Sequence, residues 1–127
     1  MTGYLDNIEK LTLANNNFRQ VLFTGQHTQL VLMSLLPTED IGLEVHQIVD
    51  QFIRVESGEG ELILNGEKHT LVDGDAFVVP AGASHNVVNT SSSKPLKLYT
   101  LYSPPHHKDG TVHKTKAEAE SDEADHI

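Results

Sequence analysis

Between residues 18 and 102 the apolar positions fall in short runs rich in Val, Ile, Leu, Phe and Tyr, separated by Gly, Pro, Asn or Asp. β-branched and aromatic residues in runs of this length, bounded by turn formers, make strands. The pattern predicts them over 18–23, 28–36, 42–48, 51–57, 60–64, 67–72, 76–79, 85–89 and 96–102. Asn65-Gly66 lies between two of these runs, where a two-residue hairpin needs positive φ at both turn positions. Asp73-Gly74-Asp75 and Pro80-Ala81-Gly82 mark further turns, so the middle of the chain reads as an antiparallel meander. The expected fold is all-β, an antiparallel jelly-roll β-barrel, since closure removes or protects the strand edges.

The run Leu30-Val31-Leu32-Met33 followed by Leu35-Leu36 does not alternate with polar residues. Such a strand is covered on both faces. One cover is the barrel interior, and the other is the N-terminal segment or a second subunit, which predicts a homodimer. Three segments follow: 1–27, carrying a strand that packs on the barrel or on a partner; 28–104, the barrel; and 105–127, a tail. From Thr115 onward the chain gains Lys, Glu, Asp and Ala, and Thr115 and Glu118 stand at capping-box spacing. A short helical or disordered acidic tail is expected, dispensable enough that removing everything after Asp109 leaves the barrel folded.

Length and charge narrow the functional classes. A chain of 127 residues with 38% hydrophobic content supports one core. With no cysteine there is no thiol nucleophile, disulfide or thiolate metal site, so any metal must use His, carboxylate or amide ligands. The formal charge of -9 repels nucleic acid and anionic lipid, which excludes both as partners. No stretch reaches the roughly eighteen apolar residues of a spanning helix, and residues 1–10 lack the basic start and apolar run of a signal peptide. These readings predict a cytoplasmic protein acting on a small molecule.

The most specific feature is residues 74–89, GDAFVVPAGASHNVVN. Gly74, five residues, Pro80-x-Gly82, two residues, His85, three residues and Asn89 resemble the second motif of the cupin superfamily at every fixed position. That family's first motif runs glycine, five residues, His-x-His, three or four residues, glutamate, six residues, glycine. Counting back from Gly58 puts Gln51 at the glutamate position, and a further gap of four puts His46 and Glu44 at the two histidine positions. The chain therefore departs from the usual pattern at Glu44 and Gln51 while keeping two imidazoles and one carboxylate. The resemblance spans roughly residues 40–102.

By that resemblance Glu44, His46, Gln51 and His85 are the expected ligands of a divalent metal ion. Strand periodicity is compatible with this, because Glu44 and His46 are two apart and share a face, as do Gln51, Ile53 and Val55. A set of two imidazoles, one carboxylate and one amide suits Mn, Fe, Co, Ni or Zn, and the lack of sulfur argues against Cu(I). The resemblance implies a metal-dependent enzyme of oxygenase, isomerase or lyase type acting on a small oxygen-rich metabolite. The alternative is a non-catalytic small-molecule-binding or sensing barrel. An additional titratable group beside the ligands separates the two, and His113, Tyr99 and Tyr102 are the candidates.

His106, His107 and His113 follow Pro104-Pro105 and carry no fixed ligand spacing, so they read as surface imidazoles. The other reading folds this segment across the barrel mouth and brings one imidazole to the pocket as an acid or base. Arg54 alternates with the inward set and is expected to pair with acids outside. Tyr99 and Tyr102 fall on opposite faces of the last strand, and one of them presents its phenol to the pocket.

Overall fold

In the computed structural model, which describes residues 2–126, the turns foreseen from Gly, Pro, Asn and Asp separate ten strands and two short helices among the described residues. In chain order these are α1 (Ile8–Ala14), β1 (Arg19–Thr24), β2 (Gln29–Leu35), β3 (Glu44–Val45), β4 (Asp50–Ser57) and β5 (Gly60–Leu64). They continue with β6 (Glu67–Leu71), β7 (Ala76–Val79), β8 (Ser84–Asn89), β9 (Leu96–Ser103), β10 (Val112–His113) and α2 (Lys116–Ser121). Every run expected to form a strand carries one, although the run over 42–48 shrinks to the two residues of β3. Its remaining residues form the loop that delivers His46.

The strands make two antiparallel sheets, ordered β10-β1-β2-β9-β4-β7 and β3-β8-β5-β6, which corrects the expected meander. Of the middle strands only β5 and β6 are consecutive neighbours, and β4 and β7 cross to the other sheet so that both faces of the barrel can close. Strict alternation in β4 buries Gln51, Ile53 and Val55 on the inward face, where they meet Val31, Met33 and Leu98 of the same sheet and Leu62 and Val87 of the other. The hairpin between β5 and β6 turns through Asn65 and Gly66 at φ 48° and 83°, the double positive φ that an Asn-Gly pair tolerates. Gly58 is irreplaceable on two counts. Its φ is +108°, and a Cβ there would stand 2.7 Å from the Pro95 carbonyl oxygen.

The non-alternating strand β2 is covered on both faces, as its sequence requires. Val31, Met33 and Leu35 face the core, while Leu32 and Ser34 lie buried on the outer face. The outer cover comes from this chain's own N-terminal segment. Asn7 caps α1 by accepting from the Lys10 amide at 3.0 Å, and α1 packs on β2, β4 and β9. Lys97 of β9 then ties the end of α1 down, donating to the Asn15 carbonyl, to Asn16 Oδ1 at 3.1 Å and to Ser34 Oγ at 3.3 Å.

The tail is more firmly held than its composition suggests. Thr115 caps α2, its hydroxyl accepting from the Glu118 amide at 3.2 Å, as the capping-box spacing predicts. Upstream, β10 adds to the free edge of β1, pairing Arg19 with His113 and Gln20 with Val112. Downstream, Asp125 is only 2% exposed. It holds His107 Nδ1 at 2.6 Å and Thr111 Oγ1 at 3.1 Å. These contacts argue against the expectation that residues after Asp109 are dispensable: their loss would strip β1 of its edge partner and leave a buried imidazole without its acceptor.

Candidate metal centre and its cavity

Loops and strand ends converge at one mouth of the barrel. β3 pairs with the start of β8 so that Glu44 stands opposite His85. His46, immediately after β3, is fixed by the second motif: the Gly82 amide donates to its carbonyl oxygen at 2.7 Å. The same turn is held from the other side, where Asp50 Oδ1 accepts from the Ala81 amide at 2.8 Å. Asn89, the last fixed residue of that motif, has a structural task. Its side-chain amide donates to the carbonyls of Leu35, Leu36 and Lys94 at 3.1, 3.1 and 2.9 Å, and its oxygen accepts from the Ser91 amide.

His46 Nε2 lies 3.0 Å from Glu44 Oε2, yet it is not aligned for a hydrogen bond and is left without a partner while buried. Two donor atoms held at this distance and not bonded to each other match two ligands of one ion, since bonds of about 2.1 Å at right angles separate their donors by about 3 Å. The His85 ring centroid is 5.1 Å from that of His46. His85 Nδ1 lies 3.2 Å from the Ala83 carbonyl oxygen, to which it donates when protonated there, leaving the Nε2 lone pair free. Gln51 occupies the neighbouring wall on β4, 3% exposed. Its Nε2 donates to Thr100 Oγ1 at 3.0 Å, so its buried Oε1 has no partner. These unsatisfied acceptors fit a bound cation.

Sequence reasoning missed one donor. His106 enters the same cluster, its ring 4.3 Å from that of His46, and Glu44, His46 and His106 offer ligand atoms within 4.8 Å of one another. Gln29 puts it there. Completely buried on the inward face of β2, Gln29 accepts from the amides of His106 and His107 at 3.1 and 2.9 Å and donates to the His107 carbonyl at 2.7 Å. The surface reading of the three histidines is therefore corrected: His106 is half-buried, while His107 and His113 are buried. The available signal was the Pro104-Pro105 turn that redirects the chain, but no local pattern marks Gln29 as its anchor.

The remaining candidates separate cleanly. Tyr102 points inward, its ring 6.0 Å from His46 and 5.4 Å from His106. Burial pushes its phenol well above the ordinary range, so it remains a neutral donor. Tyr99 faces outward and packs on Phe52 at 6.2 Å. His113 uses both ring nitrogens at the tail junction, 3.4 Å from Arg19 Nη1 and 2.9 Å from Asp122 Oδ2, and does not line the cavity. Arg54 pairs outside with Glu56 at 2.9 Å, as its parity predicts.

Above the donors lies a cavity of about 400 Å³. Glu44, His46 and His106 line its inner part with Arg19, and Lys116, Ala119 and Glu120 of α2 bound its mouth. Burial pushes the Glu44 carboxyl up, but His46, Arg19 and His85 outweigh it and the group titrates below its ordinary value. Burial holds His85 below the usual imidazole range, opposed by its bond to Ala83. It takes His106 down to about 4, helped by the charges of His46 and His126. Neutral imidazoles at neutral pH are what a metal site requires.

The sequence profile described as the cupin domain matches residues 31–102 of this chain. This chain belongs to the cupin family. It is 51% identical over 122 residues to YrkC of Bacillus subtilis (strain 168), a match covering 91% of this cupin but only 65% of YrkC. A shorter stretch of 78 residues, 61% of this cupin, is 35% identical to quercetin 2,3-dioxygenase of Bacillus subtilis (strain 168) and covers 23% of that enzyme. Among solved structures, that of BH2720 from Bacillus halodurans superposes with a TM-score of 0.90 at 46% identity, covering 92% of both chains. Among the described residues of this cupin, no helix is long and apolar enough to cross a membrane.

The depressed basicity of the tail histidine has a measurable consequence. Burial, with Arg19 beside it, lowers His107 from 6.5 to about 3 despite the opposing pull of Asp125. Below about pH 6.5 the unfolded chain therefore takes up a proton that the folded chain refuses, so stability falls as pH falls. Metal-free protein is expected to show a lower urea midpoint at pH 5 than at pH 7.5. An equal or higher midpoint at pH 5 would contradict the neutral, buried state of His107.

Proposed function

We propose that this cupin is a metal-dependent enzyme of oxygenase, isomerase or lyase type that acts on a small oxygen-rich metabolite. Glu44, His46, Gln51 and His85 would hold one divalent ion of the Mn, Fe, Co, Ni or Zn class, with His106 as a further donor. The carrying observation is that His46 Nε2, buried and without a hydrogen-bond partner among the described residues, stands 3.0 Å from Glu44 Oε2, and that Glu44, His46 and His106 offer ligand atoms within 4.8 Å of one another. An ion of this class, when bound, polarises a coordinated substrate oxygen. The chain's own residues do the rest. Tyr102, whose ring packs beside those of His46 and His106, would be the additional titratable group that favours an enzyme over a passive binder, acting from behind the cavity lining. α2 narrows the mouth and limits water entry. The similarity to a quercetin 2,3-dioxygenase segment supports this reading. Elemental analysis of tag-free protein tests it, with one divalent transition-metal ion per chain expected and a metal-free, EDTA-indifferent protein contradicting it.

We also propose that two copies pair through the outer face of the six-stranded sheet. Val78, Phe52, Leu101, Leu30 and Phe23 are successive cross-strand partners, and none of them is buried. Five strands at about 4.8 Å spacing make an apolar row roughly 19 Å long, wide enough to nucleate an isologous interface. Sedimentation is expected to show a dimer that Phe52→Glu converts to a folded monomer. A wild-type monomer at high concentration would remove the proposal.

A further inference from the structure

Arg19 is a cation on the inward face of a barrel. It stands on β1 between Met33 and His113 in register, 6% exposed, and lines the cavity with Glu44, His46 and His106. Its nearest carboxylate oxygen, Asp125 Oδ2, is 3.9 Å from Nη1, beyond hydrogen-bonding distance. That carboxylate is already committed to His107 at 2.6 Å and Thr111 at 3.1 Å. Its other neighbours carry no carboxylate: His113 Nδ1 at 3.4 Å, the Tyr102 phenol and the Phe18 ring at 5.3 Å. Arg19 Nε is buried and has no hydrogen-bond partner among the described residues.

A guanidinium taken out of water and left without an aligned anion is unfavourable unless a ligand completes it. Its planar fork of donors matches the two oxygens of a carboxylate. We propose that Arg19 is an anion subsite of this cavity and that the substrate class is a carboxylate. The assignment rests on the metal-centre reading for the chemistry at the other end of the substrate, but the subsite itself needs no ion. One buried positive charge beside the Glu44 carboxylate suits a single carboxylate group, with one charge shared by two oxygens, better than a phosphate group that concentrates two. Lys116, at the rim, is already matched by Asp40 and Glu120, so it contributes little.

Succinate, its neutral diamide succinamide and inorganic phosphate serve as probes in calorimetric titrations at constant ionic strength. Full-length protein is titrated as purified and after EDTA treatment, with metal content measured on each sample. Succinate is expected to bind wild type and succinamide not to bind. Arg19→Gln should weaken succinate by at least about tenfold, the loss of a charge-assisted bidentate contact. Arg19→Lys, which keeps the charge and guards against a folding failure in the Gln variant, should lose less than Arg19→Gln and still bind more weakly than wild type. Lys116→Gln should stay within about twofold. No succinate binding, equal binding of succinamide, a preference for phosphate, or unchanged affinity in folded Arg19 variants would each overturn the subsite. Arg19-dependent succinate binding in a protein that never holds metal would sink the metal centre and leave the subsite standing, whereas a loaded ion with Arg19 indifferent would do the reverse.

Discussion

The His46→Ala/His85→Ala protein is expected to purify folded and without its ion, with divalent-metal affinity reduced by at least roughly a hundredfold. Disturbing only the outer partners of a metal ligand already costs about 10 to 100-fold, so removing two imidazoles outright costs more. The fold should survive because neither side chain supports the main hydrophobic cluster, which is built from residues such as Met33, Ile53, Leu96 and Leu98. The His46 carbonyl, which accepts from Gly82, remains in the variant. Unchanged metal content in a folded double variant would show that the ion sits elsewhere. Two other groups of His and Asp, His107 with Asp125 and His126, and His113 with Asp122 and Asp125, would then need testing.

The second large effect is on stability. Asp125→Ala is expected to destabilise the protein by about 2–3 kcal/mol, because a hydrogen bond to a charged group is lost and buried donors are left unpaired. His107 Nδ1 loses its acceptor at 2.6 Å, Thr111 Oγ1 loses one of its two partners, and Arg19 loses the carboxylate 3.9 Å from its Nη1. For a domain of this size the melting temperature should fall by about 6–12 °C. Hydrogen exchange locates the damage. Faster exchange confined to residues 106–126 would mean that the tail undocks as a unit, while uniform acceleration would mean that the barrel itself is weakened. A melting temperature equal to wild type would show that the Asp125 contacts contribute nothing.

Local patterns in the chain were enough for the barrel. The alternation of β4, the two-residue Asn65-Gly66 turn and the Pro80-Ala81-Gly82 corner each depend on residues within a few positions, so periodicity and turn chemistry reveal them. The Thr115 cap of α2 was legible for the same reason. Glu44, His46 and His85 were singled out by the resemblance to the cupin motifs rather than by periodicity; Glu44 stands opposite His85, and the His85 ring lies 5.1 Å from that of His46.

What lies beyond reach of local pattern depends on contacts between distant segments. α1 covers the outer face of β2 only because Lys97, more than eighty residues away, holds its end. His106 joins Glu44 and His46 at the candidate metal site because Gln29, on another strand, takes the amides of His106 and His107. Arg19 faces the cavity although Phe18 and Arg19 are both buried in succession and a bulge between Val21 and Phe23 breaks the alternation that would have revealed its direction. Asp125 looks like part of a solvated acidic end until β10 pairs with β1 and carries the tail back over the barrel. The sequence alone determined where the strands and turns of the barrel's middle fall, because periodicity and turn chemistry are short-range, while the order in which those strands pair was left to the tertiary structure. The tertiary structure decided the third imidazole, the buried cation and the tail's docking, because each depends on a hydrogen bond or strand pairing whose two ends share no sequence neighbourhood.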